Sequence, residues 1–321
     1  MLSALIPLLS ALNVTPRSTF TIPLPDGRTL QLGERTFVMG ILNVTPDSFA
    51  DAGLHLDPGA AEAAAAEMEA RGADLIDVGG ESTRPGAGII SHEEEIARIQ
   101  PVLRRLARTI RIPVSVDTSK AAVAEMALDE GATLVNDVSG LRYDSALAQV
   151  AARRRAGLVL MHGRGRSRDM YRDAVYASVA REVRDELQAS LDRALTAGVA
   201  REAIVLDPGL GFAKRAEHSY AALAALPELA ALRCPLLVGP SRKSFLTAAI
   251  EDPHRGPQRG SRAGDPNRPA HERDVATAAA VSAAVLLGAH IVRVHAVADM
   301  VDVVRVADAI RRASSTSRSG A

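Results

Sequence analysis

The stretch PVSVDTSKAAVAEMALDEGATLVNDV, residues 113–138, contains two short apolar runs on either side of an alanine-rich segment. The runs Pro113–Val116 and Leu134–Val138 have the length and composition of buried strands. The alanine-rich segment favours a helix, and Gly131 after it is typical of a helix C-terminus. The stretch therefore predicts a strand–helix–strand unit, the building block of parallel sheets.

The same alternation continues along the chain. Helix start signals precede several of the intervening segments, such as Asp57-Pro58 and the pair Ser91 and Glu94. Eight strand–helix pairs without a break in composition predict an α/β fold, a (β/α)8 TIM barrel. A doubly wound open sheet is the alternative that fits the pattern. The predicted strands are Thr36–Leu42, Leu75–Val78, Pro113–Val116, Leu134–Val138, Gly157–Met161, Ile204–Asp207, Leu236–Gly239 and Ile291–Val294.

Three segments lie outside this alternation. Phe20–Leu32 has two alternating runs around Pro25-Asp26-Gly27, which predicts a β-hairpin lid on the N-terminal end of the barrel. Glu251–His271 is rich in Arg, Gly, Pro and Asp and predicts a loop insert. We expect the barrel domain to span residues 20–313, after an extension at 1–19 and before a polar, disordered tail at 314–321.

Composition excludes several classes of protein. The formal net charge is zero, which argues against a nucleic-acid partner. The one cysteine, Cys234, precedes an apolar run and is expected to be buried, and there is neither a disulfide framework nor a Cys/His metal spacing. No apolar run is long enough for a spanning helix, and Leu2–Leu12 lacks the basic residues of a signal peptide. We expect a cytoplasmic protein with no membrane partner.

Lysine is rare, with three residues against thirty-five arginines. The three are Lys120 in SVDTSK, Lys214 in DPGLGFAK and Lys243 in VGPSRKSF, and each lies in a predicted strand-to-helix turn. Lysine differs from arginine in being a compact point charge on a flexible stem. For a single lysine, codon bias is the alternative explanation, but three lysines in three such turns indicate that these turns need an amine.

Polar residues follow every predicted strand. The active site of a parallel barrel lies at the C-terminal ends of its strands, so these residues should converge there. They are Asn43, Thr45, Asp47 and Asp51 after the first strand, GGESTRPGA (79–87) after the second, then Asp117, Asn136 and Asp137, Met161 and His162, Asp207, Ser241–Ser244, and Arg293 with His295.

Some of these residues have simpler explanations. Asp117 and Asp207 could cap the following helices, and Asn136 could be a turn residue. His162 is expected to support the site from behind, and Arg242 to face outward in an ion pair. By contrast, a cation that ends an apolar strand needs an anionic or carbonyl partner, which applies to Lys243 and Arg293.

The chemistry of the strand ends divides into two groups. Donors and acceptors for a flat heterocycle with an amidine edge come from Asp117, Asn136, Asp207 and Lys243. Groups that suit a phosphate or pyrophosphate come from Asn43, Arg293 and His295. No Ser-His-Asp triad, nucleophilic cysteine or glycosidase carboxylate pair is evident, so we expect catalysis by positioning and leaving-group stabilisation.

The chain resembles the dihydropteroate synthase family in the order and spacing of eight motifs. The resemblance covers about Thr36 to Arg312 and implies a (β/α)8 barrel, usually a homodimer. It also implies the joining of 6-hydroxymethyl-7,8-dihydropterin pyrophosphate to 4-aminobenzoate, with release of pyrophosphate. The motifs are MGILNVTPDSF (39–49), GGESTRPGA (79–87), SVDTSK (115–120), VNDVSG (135–140), LMH (160–162), DPGLGF (207–212), SRKSF (241–245) and RVH (293–295).

The resemblance also implies roles for individual residues. The pterin would be held by Asp117, Asn136, Met161, Asp207 and Lys243. The pyrophosphate would be held by Asn43, Arg293 and His295, with Asn43 also a ligand of Mg²⁺. The 4-aminobenzoate site would include Phe49, Thr83, Pro85, Lys243 and Ser244, and the catalytic residues would be Asp117 and Lys243, with Asp51 and Arg84 on two closing loops. A methyltetrahydrofolate-dependent methyltransferase and a non-catalytic pterin-binding paralogue are the alternatives.

Overall fold

A computed structural model describes residues 14–45, 57–82, 87–166, 171–172, 174–248 and 270–319. Its strands are β1 (Phe20–Pro23), β2 (Thr29–Leu32), β3 (Phe37–Asn43), β4 (Leu75–Gly79), β5 (Val114–Asp117), β6 (Leu134–Asp137), β7 (Gly157–Met161), β8 (Ile204–Asp207), β9 (Leu237–Val238) and β10 (Ile291–Val294). Its α-helices are α1 (Pro58–Ala70), α2 (His92–Thr109), α3 (Ala121–Asp129), α4 (Ala146–Arg154), α5 (Val179–Thr196), α6 (Ala216–Ala224), α7 (Leu226–Leu229), α8 (Phe245–Ala248), α9 (Asp274–Leu286) and α10 (Val297–Ser319).

Strands β3 to β10 form one parallel sheet in the order β8-β7-β6-β5-β4-β3-β10-β9. A parallel bridge between Leu206 and Leu236 joins the two ends of this order and closes the ring. Neighbours in sequence are neighbours in the sheet, as in a barrel and unlike a doubly wound sheet, whose strand order reverses. The predicted (β/α)8 barrel is therefore confirmed.

Local sequence signals explain where the helices begin and end. The Asp57 side chain accepts a hydrogen bond from the Gly59 amide at the start of α1, and Ser91 accepts one from the Glu94 amide at the start of α2. Gly131 has a φ of 101° just after α3, a conformation that residues with a side chain rarely adopt. These caps fix the lengths of the strand-to-helix units.

The hairpin covers the N-terminal end of the barrel, as predicted. Strands β1 and β2 pair antiparallel, and the turn places Gly27 at a φ of 85°. The apolar residues of the hairpin pack in one cluster with residues from the lower ends of the barrel strands, among them Ile22, Leu32, Met39, Leu75, Leu134 and Val205. This end is closed by packing, which leaves the opposite end open for a ligand.

Residues 14–19 belong with the barrel rather than with the extension predicted at 1–19. The buried Arg17 guanidinium donates to the carbonyls of Gly33 and Ala289, to Thr36 Oγ1 and to Asp308 Oδ1. Asp308, on α10, also accepts from the Thr36 amide at 2.6 Å. This contact joins the two ends of the described chain beneath the barrel.

The C-terminal prediction also needs correction. Helix α10 continues to Ser319, whereas a disordered tail was predicted from residue 314. Ser314 Oγ donates to the Ile310 carbonyl, a contact within the helical turn that a serine can make without breaking the helix. Most of the predicted insert, residues 251–269, lies outside the described residues, and Ala270–Arg273 form a short 3-10 turn. Among the described residues, no helix combines the length and the apolar composition that crossing a membrane requires.

Candidate active site

The strand register places the predicted site residues on the inner face of the barrel. Asn43 pairs with Gly79, Gly79 with Asp117, and Asp117 with Asn136 across β3 to β6. Asn136 pairs with Val159 of β7, and Met161, two residues further along that strand, pairs with Asp207 of β8. Paired residues and residues two positions apart point to the same face of a parallel sheet, so these side chains all point into the barrel interior.

Arg293 lies deeper than expected, among carboxylates inside the barrel. Its Nε donates to Asp77 Oδ2 at 2.6 Å and its Nη2 to Asp117 Oδ2 at 2.8 Å. The Asn136 amide donates to the same Asp77 oxygen at 2.8 Å. Arg293 was predicted to bind a phosphate or pyrophosphate. Its guanidinium also contacts Asp117, one of the residues predicted to bind a heterocycle, so it links the two sets of residues.

Asp77, which lies within the apolar strand LIDVG, was not predicted as a site residue. The residue is fully buried. A charge in the middle of an apolar strand is costly unless it is paired. An aspartate within an apolar run is therefore a sequence signal that could have identified Asp77 as a site residue.

Asp117 is not a helix cap. The N-cap of α3 is Lys120, while the Asp117 carboxylate pairs with Arg293. Burial raises the pKa of Asp117 to about 7. Arg293 opposes this effect, and the neighbouring carboxylate of Asp77 adds to it. A carboxyl group whose pKa is raised this far by burial and by a neighbouring carboxylate is typical of a functional site.

The buried Asp207 and the half-buried Lys243 carry opposite charges that influence each other. Asp207 Oδ1 accepts from the Gly209 amide at 2.7 Å, so this carboxylate also organises the turn that follows β8. Lys243 Nζ donates to the Leu210 carbonyl and lies 4.5 Å from the centre of the Phe212 ring. Burial raises the pKa of Asp207 and lowers that of Lys243 to about 8, and each group partly offsets the effect on the other.

The last two strands supply the polar rim of the open end. Ser241 Oγ lies 2.9 Å from His295 Nδ1 and accepts from the His295 amide, so the imidazole has a fixed position. Ser244, which follows Ser241 closely in the sequence, is exposed. Arg242 forms a bidentate pair with Asp274 at 2.8 Å for both bonds, which confirms its predicted ion pair.

Gly79 lies between two acceptor oxygens. A Cβ at this position would lie 3.7 Å from Asn43 Oδ1 and 3.8 Å from Asp117 Oδ2. The two oxygens therefore flank the same position of the barrel wall.

Lys214 holds the loop that follows β8 and the His162 ring in place. Lys214 is buried and its amine contacts His162 Nδ1 at 2.7 Å and the carbonyls of Gly209 and Phe212. His162 Nε2 in turn lies 3.0 Å from Glu186, which confirms the prediction that His162 acts from behind the site. Burial and Lys214 lower the pKa of His162 to about 4, so the ring is neutral at pH 7.

Lys120 contacts two glutamates rather than the site itself. Its amine pairs with Glu81 and, at 2.5 Å, with the buried Glu95. The Lys243 amine, by contrast, is influenced by the charges of three predicted site residues, Asp207, Arg293 and Asp117.

A cleft opens beside Asp117. Most of its lining residues were not predicted as site residues, because they lie beyond the strand ends in longer loops. Besides Asp117, the lining includes Val138, Arg142, Tyr143, Arg166 and Phe212. Five predicted site residues lie outside the described residues: Phe49, Asp51, Thr83, Arg84 and Pro85.

Comparisons with known proteins agree with this geometry. A family profile described as pterin binding enzyme matches residues 39–295. Dihydropteroate synthase from Synechocystis is 44% identical over 91% of this chain and 96% of that protein, and the synthase from Mycobacterium leprae is 45% identical over 85% and 92%.

Solved structures extend the likeness to three dimensions. The Yersinia pestis dihydropteroate synthase with a sulfonamide drug superposes with a TM-score of 0.81 at 38% identity, covering 92% of this chain and all of that one. The Xanthomonas albilineans dihydropteroate synthase with 4-aminobenzoic acid gives 0.80 at 36% identity, covering 92% and 99%. The chain therefore belongs to the pterin binding enzyme family, among the dihydropteroate synthases.

Proposed function

We propose that the open end of the barrel joins 6-hydroxymethyl-7,8-dihydropterin pyrophosphate to 4-aminobenzoate, giving 7,8-dihydropteroate and pyrophosphate for folate synthesis. The observation that carries this proposal is the buried layer of alternating charges around Asp117, Asp207, Lys243 and Arg293. Burying these charges without a ligand costs free energy, and the same charges suit a flat, polar heterocycle with several donors and acceptors.

The pterin would occupy the barrel axis. Asp117 and Asp207 would accept its N–H groups, Asn136 would contribute an amide, and Lys243 would donate to its carbonyl or ring nitrogen. Met161 is 3% exposed and lies beside Gly209, where its thioether can pack on the face of a ring. Asp117, Asn136, Met161 and Asp207 lie within strands β5 to β8, which favours binding without rearrangement.

The pyrophosphate would lie above the pterin, at the rim. Asn43 and His295 are partly exposed at their strand ends, and 19% of the Arg293 side chain remains accessible although it pairs with two carboxylates. Arg293 can therefore contact both the heterocycle layer and the leaving group.

Mg²⁺ fits this site as a partner of the substrate's phosphates. The described residues contain no group of three or more His, Cys, Asp or Glu that could hold a metal by themselves. Mg²⁺ commonly takes few oxygens from the protein and the rest from phosphates and water. Asn43 Oδ1 would be its protein ligand, and the ion would neutralise charge on the pyrophosphate.

The chemical step needs charge stabilisation more than a strong base. As the C–O bond to pyrophosphate breaks, the dihydropterin becomes a delocalised cation, and the Asp117 carboxylate stabilises the positive charge. The neutral aniline nitrogen of 4-aminobenzoate then forms the C–N bond and loses a proton. Lys243 and Ser244, together with Phe49, Thr83 and Pro85, would place the second substrate, and Asp51 and Arg84 would close over the leaving group.

The same proposal includes a homodimer in the cytoplasm. Helices α9 and α10 pack together and expose Val275 at 85%, Val306 at 62% and Ile310 at 43%. Exposed apolar side chains on adjacent helices favour a second copy as the covering surface. The free and buried thiol of Cys234 agrees with a reducing compartment.

A turnover assay with both substrates and Mg²⁺ tests the proposed function. Formation of dihydropteroate that requires both substrates is the expected result. Binding of the pterin without any product would instead favour a non-catalytic paralogue, and methyl transfer from methyltetrahydrofolate would favour the methyltransferase alternative.

A further inference from the structure

We propose that Asp77 is a positioning residue that holds the Asn136 amide in one orientation, so that Asn136 offers an oxygen and not an N–H group to the bound heterocycle. This inference rests on the proposed function, because it concerns the pterin layer. It makes Asp77 a determinant of ligand specificity although the residue lies beneath the site.

The contacts of Asp77 are unusual in using one oxygen for two donors. Oδ2 accepts from Arg293 Nε at 2.6 Å and from Asn136 Nδ2 at 2.8 Å. Asp77 itself is fully buried on β4, whereas 19% of the Arg293 side chain is accessible. Asp77 therefore acts on a ligand through its two partners and not by contact.

The chemistry of the carboxylate decides which end of the amide faces it. The Asp77 carboxylate oxygen accepts hydrogen bonds from both Arg293 and Asn136, and a carboxylate oxygen in such a pair has no hydrogen to donate. The NH2 group of Asn136 must therefore face Asp77. Because the amide is planar, Oδ1 lies on the side of the amide away from Asp77 and is the atom left for the bound heterocycle.

This orientation gives the pterin layer a defined pattern. Asp117, Asn136 and Asp207 each present acceptor oxygens, and Lys243 supplies a donor. A ligand edge that carries amino and ring N–H groups matches these acceptors, whereas an edge with a carbonyl in place of an amino group would leave buried oxygens unpaired. Unpaired buried polar groups are a strong source of discrimination.

Exchanging the two side chains tests the inference. In Asp77→Asn the new amide can donate to Asn136 Oδ1 and reverse its orientation. In Asn136→Asp two carboxylates face each other without a proton donor between them. In the double variant Asp77→Asn/Asn136→Asp the new amide donates to the new carboxylate, which again offers an oxygen to the pocket, and the net charge is unchanged.

The readout is the Kd of 6-hydroxymethylpterin, followed by its own fluorescence because the chain has no tryptophan. Each single variant should bind on the order of 10- to 100-fold more weakly, as expected for a lost buried hydrogen bond to a charged group. The double variant should return to within about threefold of wild type. KM for the pterin substrate should follow the same order, while KM for 4-aminobenzoate should not change.

Asp308→Asn is the matched control. Asp308 is also a buried carboxylate that accepts from an arginine, but it lies at the closed end of the barrel. This variant should lose thermal stability and keep the wild-type Kd, which separates positioning from a general effect on the fold.

The possible failures can be told apart. A wild-type chain that does not bind the pterin refutes the proposed function before any variant is compared. Wild-type affinity in Asp77→Asn, or a folded double variant that binds no better than the weaker single variant, overturns the role of Asp77 alone. If Asp77→Asn does not fold, the double variant still decides: recovery of binding supports the exchange, and failure to fold or bind refutes it.

Discussion

Replacing Asp117 with asparagine should make the protein slower but no less stable. The site layer contains three carboxylates, of Asp77, Asp117 and Asp207, and two cations, of Arg293 and Lys243. Removing one negative charge leaves two of each sign. Arg293 keeps its bond to Asp77, so the substitution does not strand a buried charge.

The size of the effect follows from the pKa of Asp117, which burial raises from 3.8 to about 7. A folded-state pKa above the unfolded value means that the folded protein holds the proton more tightly. This group therefore lowers stability as the pH rises from about 4 to about 7, and the loss is complete above 7. The shift of about three units corresponds to a cost on the order of 4 kcal/mol at pH 8, which asparagine avoids.

The rate of the reaction, unlike the stability, should fall in this variant. Loss of one preorganised charge beside a developing cation typically costs about 3 kcal/mol in the transition state, or roughly a hundredfold in rate. Thermal unfolding by circular dichroism and steady-state turnover, both at pH 8, measure the two effects. The variant should melt at or above the wild-type temperature and turn over about a hundredfold more slowly.

Asp308→Asn provides the comparison here as well, because it should melt lower and turn over normally. The reasoning about Asp117 is refuted if its variant shows that same pattern, with a lower melting temperature and near-normal turnover. Such a result would mean that the carboxylate serves the fold and not the reaction.

Three further predictions concern other parts of the molecule. The pKa of Lys243 is lowered to about 8 by burial, so wild-type activity should decline as the amine loses its proton above pH 8; Lys243→Arg should have lower activity without that decline, and an unchanged pH profile would contradict the assignment. Arg17→Met should lower the free energy of unfolding by about 3 kcal/mol in guanidinium titrations, because Asp308 loses a buried partner, while kcat/KM stays constant; wild-type stability would contradict the packing of residues 14–19. A sulfonamide should inhibit competitively with 4-aminobenzoate, and inhibition that persists unchanged as 4-aminobenzoate is raised would argue against a shared site.

The barrel and the level of the site follow from local sequence. Apolar runs such as Gly157–Met161 and Ile204–Asp207 end at turn signals, and the structure has these strands with the predicted bounds. A parallel barrel then brings all strand ends to one side, which is why isolated polar residues such as Asp117 and Asn136 could be assigned to one layer.

Other features depend on contacts between distant residues. The bond from Arg17 to Asp308 joins residues 291 positions apart, so no local pattern indicates that residues 14–19 pack under the barrel. The direction of the Arg293 side chain depends on carboxylates contributed by β4 and β5. Asp77 was not predicted as a site residue because its neighbours in β4 are apolar. A single charged residue among apolar neighbours is nevertheless a sign of a buried charge that needs partners.

The most direct test of the proposed site is a crystal structure of the protein with a bound pterin, such as 6-hydroxymethylpterin. The heterocycle should lie on the barrel axis within hydrogen-bond distance of Asp117, Asn136, Asp207 and Lys243, with Met161 against its face. Asn136 Oδ1 should face an N–H group of the ligand while Nδ2 remains on Asp77. A pterin bound elsewhere, or one that leaves Asp117 and Asp207 without contacts to the ligand, would contradict the assignment.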